Sequence, residues 1–130
     1  MGQQDLLELF EHGTVLFPDL EVRAAEKPWY ASPTWKGVFL KDLVTGKETG
    51  GAFSYHLMRV ERNSEIPDHA HETQWSWNVV LGGTGLFVLG GRRVPVEVGQ
   101  TFVTPPQVHH AVSAGDDELS LLAIFVPALG

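Results

Sequence analysis

The chain of 130 residues contains no cysteine. Disulfides, thiolate metal sites and cysteine nucleophiles are therefore excluded, and any metal must sit on His, Asp, Glu or amide groups. Basic residues are also few: nine Lys and Arg stand against sixteen Asp and Glu, a formal net charge of −7. That balance leaves no basic face for nucleic acid or an anionic membrane, so neither is expected as a partner. Long apolar runs are lacking too. The longest, residues 119–129, is too short and too interrupted to span a bilayer. The first residues, Met1-Gly2-Gln3-Gln4-Asp5, carry an acid where a secretory signal has basic residues, and Leu6 breaks the myristoylation pattern. A cytoplasmic location is expected. No P-loop, dinucleotide fingerprint or Gly-x-Ser-x-Gly elbow occurs.

What is present is a single domain's worth of sequence with an ordinary apolar share of 43%. Residues 3–12 read as a short amphipathic helix, with Leu6, Leu7, Leu9 and Phe10 on one side and Gly13 to stop it. Beyond it, short Val-, Phe-, Leu- and Thr-rich runs alternate with Gly, Pro, Asn and Asp. Strands are predicted over 20–25, 36–44, 52–62, 67–71, 75–81, 84–89, 93–98, 101–104, 108–113 and 119–126. The segment 26–35 reads as an ordered aromatic loop, whose Lys27, Trp29, Tyr30 and Trp35 either cover the barrel mouth or form a strap packing on a second subunit. Many short strands with regular turns predict an all-β sandwich or barrel.

Six histidines occur, and three or four of them form a pattern. His69 and His71 flank Ala70 on a predicted strand, where side chains at i and i+2 share a face. Pro105-Pro106-Gln107-Val108-His109-His110 follows about forty residues later, and one of its histidines can close the set from a neighbouring strand.

These two segments resemble the motifs of the cupin superfamily, small double-stranded β-helix barrels of the jelly-roll type. The first runs from Ile66-Pro67-Asp68-His69-Ala70-His71 to Val80-Leu81-Gly82-Gly83-Thr84-Gly85. The second runs from Gly99 through Pro105 to His110, with Gln107 in place of a Gly and Ala114 in place of an Asn. The resemblance covers about residues 50–127. It implies one cupin domain over 1–130, with the helix and an N-terminal strap in 3–45.

By the resemblance, His69, His71 and His110 hold a divalent transition metal: Fe, Mn, Ni or Zn. His109 falls on a variable position and is expected at the surface. The family's fourth ligand is a Glu, and here that position holds Ser76 or Trp75, depending on the count. Gln74 is a candidate replacement if a bulge carries it inward. A set of three neutral imidazoles leaves the ion its full charge and open positions.

If Ser76 and Asn78 face inward they line a polar pocket, and Trp75 and Trp77 face out. A one-residue shift reverses this. Along 53–60, either Tyr55 or His56 looks into the barrel as a catalytic acid or donor. The expected function is a metal-dependent enzyme acting on a small chelating polar metabolite, by dioxygenase-, isomerase- or lyase-type chemistry. The alternative is a non-catalytic small-molecule-binding or sensor domain with a degenerate site. A Tyr or His inside the pocket favours the first, and an apolar, Trp-lined cavity favours the second. The Trp-rich strands predict a homodimer.

Overall fold

The computed structural model describes residues 6–129. The elements are α1 (Leu6–Glu11), β1 (Thr14–Leu16), β2 (Glu21–Arg23), a 3₁₀ turn (Ala24–Glu26), β3 (Trp29–Ala31), β4 (Val38–Val44), α2 (Gly46–Thr49) and β5 (Ser54–Val60). They continue with β6 (Glu65–His69), β7 (Trp75–Gly82), β8 (Thr84–Leu89), β9 (Arg92–Glu97), β10 (Thr101–Thr104), β11 (His110–Ala114) and β12 (Leu119–Val126). The first residues assigned to the helix by the sequence pattern, 3–5, lie outside the described residues.

A six-stranded sheet, β10-β7-β12-β5-β4-β3, faces a four-stranded sheet, β6-β11-β8-β9, and β1-β2 form a separate ribbon. Every ladder is antiparallel. This is the double-stranded β-helix that the cupin resemblance implies, with the short N-terminal helix that the sequence pattern predicts.

Strand alternation divides the apolar residues of the large sheet between two cores. Val60, Val80, Leu121 and Phe125 point inward and meet Ile66, Phe87, Val96 and Val112 of the small sheet. Leu57, Leu81 and Leu122 point outward and are covered by Leu7, Ala24 and Val15 from the N-terminal segment. That cover stops short of one end of the face. Trp75 and Trp77 stand there 50% and 54% exposed, beside Val103 and Val126.

Two expectations are corrected here. Residues 29–31 form a strand on the edge of the large sheet rather than a loop, because β4 supplies a free edge with matching register. The ribbon strand β1 has no counterpart in the sequence reading. The turn after β7 needs glycine. Gly83 has φ of 78°, and a Cβ there would lie 2.1 Å from the Glu118 carbonyl oxygen.

Candidate metal centre

The three histidines come from three places. His69 ends β6, His71 lies two residues beyond it in the loop, and His110 begins β11. His110 is paired directly with His69 across the ladder. The sequence pattern places His71 on the strand with His69, but the strand ends at His69 and His71 lies in the loop, so strand alternation does not orient it. Its backbone does: the Gln107 N–H donates to the His71 carbonyl at 2.7 Å, tying the two loops together. Gln107 adopts φ of 67° to do so, in the left-handed region that glycine favours.

The ring centroids lie 4.9 Å (His69–His71), 4.2 Å (His69–His110) and 5.3 Å (His71–His110) apart. One nitrogen from each falls within 4.8 Å of the others. That is within side-chain adjustment of three bonds of about 2.1 Å to one ion.

Hydrogen bonds fix which nitrogen is available. His69 Nδ1 lies 2.8 Å from the Pro67 carbonyl, and His110 Nδ1 lies 3.0 Å from the Val108 carbonyl. A carbonyl only accepts, so both Nδ1 atoms carry protons and both Nε2 atoms keep their lone pairs. A backbone partner on the far nitrogen is the usual support for a ligating imidazole. Burial, then repulsion from His69 and His110, lowers the His71 pKa to about 4. Burial chiefly lowers that of His110 as well. His71 and His110 are thus neutral at pH 7, the form that binds a metal ion.

The cavity in front of them has a volume of about 220 Å³ and lies between the two sheets. Trp35 covers it, with its ring centroid 4.9 Å from that of His69. Leu129 lies at the rim, and its N–H donates to Ser54 Oγ at 2.9 Å. Of the four aromatic-loop residues considered as a lid, only Trp35 reaches the cavity. Trp29 donates through Nε1 to Glu11, and Tyr30 donates to Asp42.

Ser76 and Asn78 point inward and line the cavity, which puts Trp75 and Trp77 outside. Ser76 and Thr104 share a hydrogen bond of 2.5 Å, and Asn78 Nδ2 donates to Ser76 Oγ at 3.0 Å. The cavity is lined without Gln74, which sits half-buried before β7. His109 is exposed and pairs with Asp68 at 2.9 Å, as expected of a surface imidazole.

Neither Tyr55 nor His56 lines this cavity, and the expectation that one of them serves it is corrected. Tyr55 faces outward into a separate apolar groove of about 560 Å³ under α1 and β1, where burial pushes its hydroxyl up to about 12. Among the described residues, that larger groove has no titratable lining residue besides Tyr55, whereas the smaller cavity holds the three imidazoles. His56 points inward but is enclosed. Its Nδ1 lies 2.7 Å from Asp42 and its Nε2 2.8 Å from Ser54 Oγ. The Phe125 ring stands between it and the metal centre, 5.5 Å from His56 and 5.3 Å from His71. Asp42 and Leu129 were not legible as parts of either site. Each is brought in by contacts distant in sequence.

The family model of the cupin domain matches residues 56–125. The chain belongs to the cupin family. A search of the curated proteins gave no match. Among solved structures, the fold is similar to a predicted oxalate decarboxylase from Thermotoga maritima, at 23% identity and a TM-score of 0.73. That alignment covers 82% of this chain and 97% of the other. It is also similar to KdgF from Halomonas sp., at 19% identity and a TM-score of 0.72, covering 82% and 91%. A third is the polyketide cyclase RemF from Streptomyces resistomycificus, at 21% identity and a TM-score of 0.70, covering 81% and 77%. At these identities the likeness establishes the fold, not the reaction.

Proposed function

We propose that this cupin domain binds one divalent transition metal through His69, His71 and His110 and acts on a small molecule that chelates the ion. The observation that carries this reading is the pair of backbone hydrogen bonds on Nδ1 of His69 and His110. They leave two Nε2 lone pairs beside the ring of His71, in a cavity large enough for a ligand. The donor set fits such an ion: three imidazole nitrogens, with no carboxylate among the described cavity-lining residues. A bound ion supplies Lewis acidity and open coordination positions.

The protein's own part follows from the walls. Trp35, Phe125 and Leu129 keep bulk water from the imidazoles, and Ser76 with Asn78 orients a polar group of the ligand. Besides the three imidazoles, no titratable side chain among the described residues lines the cavity. Proton abstraction by a side-chain base therefore fits poorly, and chemistry that relies on the ion fits best. The same observation favours the second reading, a non-catalytic ligand-binding domain. Turnover of a chelating substrate separates the two.

The test is elemental analysis of untagged protein beside a His69→Ala/His71→Ala variant. Near one equivalent of a single transition metal, lost in the variant, supports the site. Wild type that is metal-free and takes up no added Fe, Mn, Ni or Zn overturns it.

The reading includes a homodimer formed on the outer sheet face. In its support, Trp75 and Trp77 lie bare there in register with Val126 and Val103. Sedimentation of wild type and Trp77→Arg at high micromolar concentration tests this, and a wild-type monomer counts against it.

A further inference from the structure

The cavity walls carry information beyond the metal ligands. Apart from the imidazoles, Ser76 and Asn78, they are apolar: Trp35, Leu40, Met58, Phe102, Leu121 and Phe125 form most of the surface. Among the described residues, no Lys, Arg, Asp or Glu lines them. A ligand oxygen not bound to the ion therefore finds only the hydroxyl and amide groups of β7. Those are largely committed to each other. Ser76 Oγ is engaged by Thr104 and by Asn78, and Asn78 Nδ2 is spent on Ser76 Oγ and, at 3.5 Å, on the Phe102 carbonyl. Both hydrogen bonds of Asn78 leave through nitrogen, so Oδ1 is the atom left to meet a ligand, and an amide oxygen only accepts.

From this arrangement, and resting on the proposed three-His site, we infer that the cavity takes a bidentate chelator with an apolar, ring-sized body and a hydrogen-bond donor toward Asn78. Compact dianions are poor ligands for it. The expected "small polar metabolite" is thereby narrowed. A dianion such as oxalate carries outer oxygens that would face hydrocarbon with no donor, and a buried polar atom left without a hydrogen bond is costly. A ring on the same chelating head instead removes apolar surface from water on both partners. A cavity of about 220 Å³ holds one such ring and its chelating head, not a chain of sugar units.

The test uses the full chain loaded with cobalt(II), whose visible absorption reports ligand exchange at the ion. It is titrated with acetohydroxamate, benzohydroxamate and oxalate. The first two share one chelating head and differ only in methyl against phenyl. Benzohydroxamate is expected to bind on the order of 100-fold tighter than acetohydroxamate, with oxalate the weakest of the three. Equal affinity of the two hydroxamates within about threefold, or oxalate binding tightest, overturns the inference.

Asn78→Leu tests the donor. It is expected to weaken benzohydroxamate, whose N–H is the donor left once both oxygens chelate the ion, by about tenfold, and to leave cobalt stoichiometry unchanged. An unchanged hydroxamate affinity overturns that part. A cobalt spectrum that does not depend on His69 and His71 has a different meaning. It removes the metal site and the chelator requirement, while Trp35 fluorescence in the metal-free protein still reads whether benzohydroxamate is preferred over acetohydroxamate. No such preference overturns the apolar part as well.

Discussion

The molecule holds two inward-facing histidine centres on either side of one phenylalanine ring, and they are built in opposite ways. In one, His56 has both ring nitrogens occupied, by the Asp42 carboxylate and by Ser54 Oγ. Tyr30 donates a second hydrogen bond to Asp42, and the Leu129 N–H donates to Ser54. In the other, His69 and His110 each spend one nitrogen on a carbonyl and keep the second for the cavity.

The first centre has the Asp–His–Ser order of acyl-transfer triads, yet Ser54 has 0% exposure and accepts a main-chain hydrogen bond. A nucleophile that no substrate can touch is a structural link. Connectivity alone would have chosen the wrong histidine. Saturation of the ring nitrogens tells the two apart: a saturated imidazole holds the fold, and an imidazole with a free lone pair facing a cavity holds something else.

Exchanging the roles gives the largest effect. His56→Ala should cost about 2–3 kcal/mol in denaturant unfolding, because it strands the partly buried Asp42 carboxylate. The folded fraction should still take up one metal equivalent. His110→Ala should do the reverse, abolishing specific uptake with a smaller loss of stability. Loss of metal binding in the folded His56 variant would break the contrast.

Ser76→Glu sharpens it by giving the open centre the carboxylate that the closed one has. Ser76 lies on the inward row of β7, at the position where the cupin motif places its acid. Metal affinity by competition titration should rise at least about tenfold, with chelator affinity falling as a coordination position fills. The metal-free protein should lose about 1–3 kcal/mol, because the Thr104 and Asn78 hydrogen bonds are broken. Unchanged metal affinity would place the vacancy elsewhere.

Acid distinguishes the centres next. His71 stays neutral in the fold to about pH 4 but titrates near 6.5 when unfolded. The unfolded chain takes the proton first, so metal-free stability is full above about pH 6.5 and falls as the pH drops toward 4. Asp42 acts lower. Burial raises its pKa, but hydrogen bonds from His56 and Tyr30 outweigh this and hold it below the usual carboxylate range. Its contribution is present above the unfolded value, near 4, and lost below it. Melting curves across pH 7 to 4 should show the first decline, and His71→Ala should flatten it.

The smallest expected change is Gln107→Gly. Relief of the left-handed backbone should stabilise by about 1 kcal/mol while the hydrogen bond to the His71 carbonyl persists. A loss of stability would mean that the Gln107 side chain matters.

Much of this was legible in the chain, for reasons that differ by residue. His69 and His71 stand out by spacing, and the cupin resemblance, not spacing, picks His110 over His109. The reason given for His71 was wrong, since a loop tie and not strand alternation orients it. Ser76 against Trp75 and Trp77 was an open choice of face that only the register of β7 with β10 and β12 decides. His56 and Tyr55 shared the same ambiguity. That His56 is enclosed depends on Asp42, fourteen residues away on β4, and local pattern carries no record of such a pair. The strands β1 and β3 escaped because three residues are too few to show a period.

The placement of Trp35 has a practical consequence. Indole emission shifts to the blue away from water and is quenched by nearby open-shell ions. Trp35 stacks near His69 at the cavity, while Trp75 and Trp77 lie in solvent on the far side of the sheet. Once Trp29, the fourth tryptophan and half-buried beside Glu11, is changed to Phe, the protein carries its own two-colour gauge. Its blue component reads what enters the barrel, and its red component reads what settles on the outside.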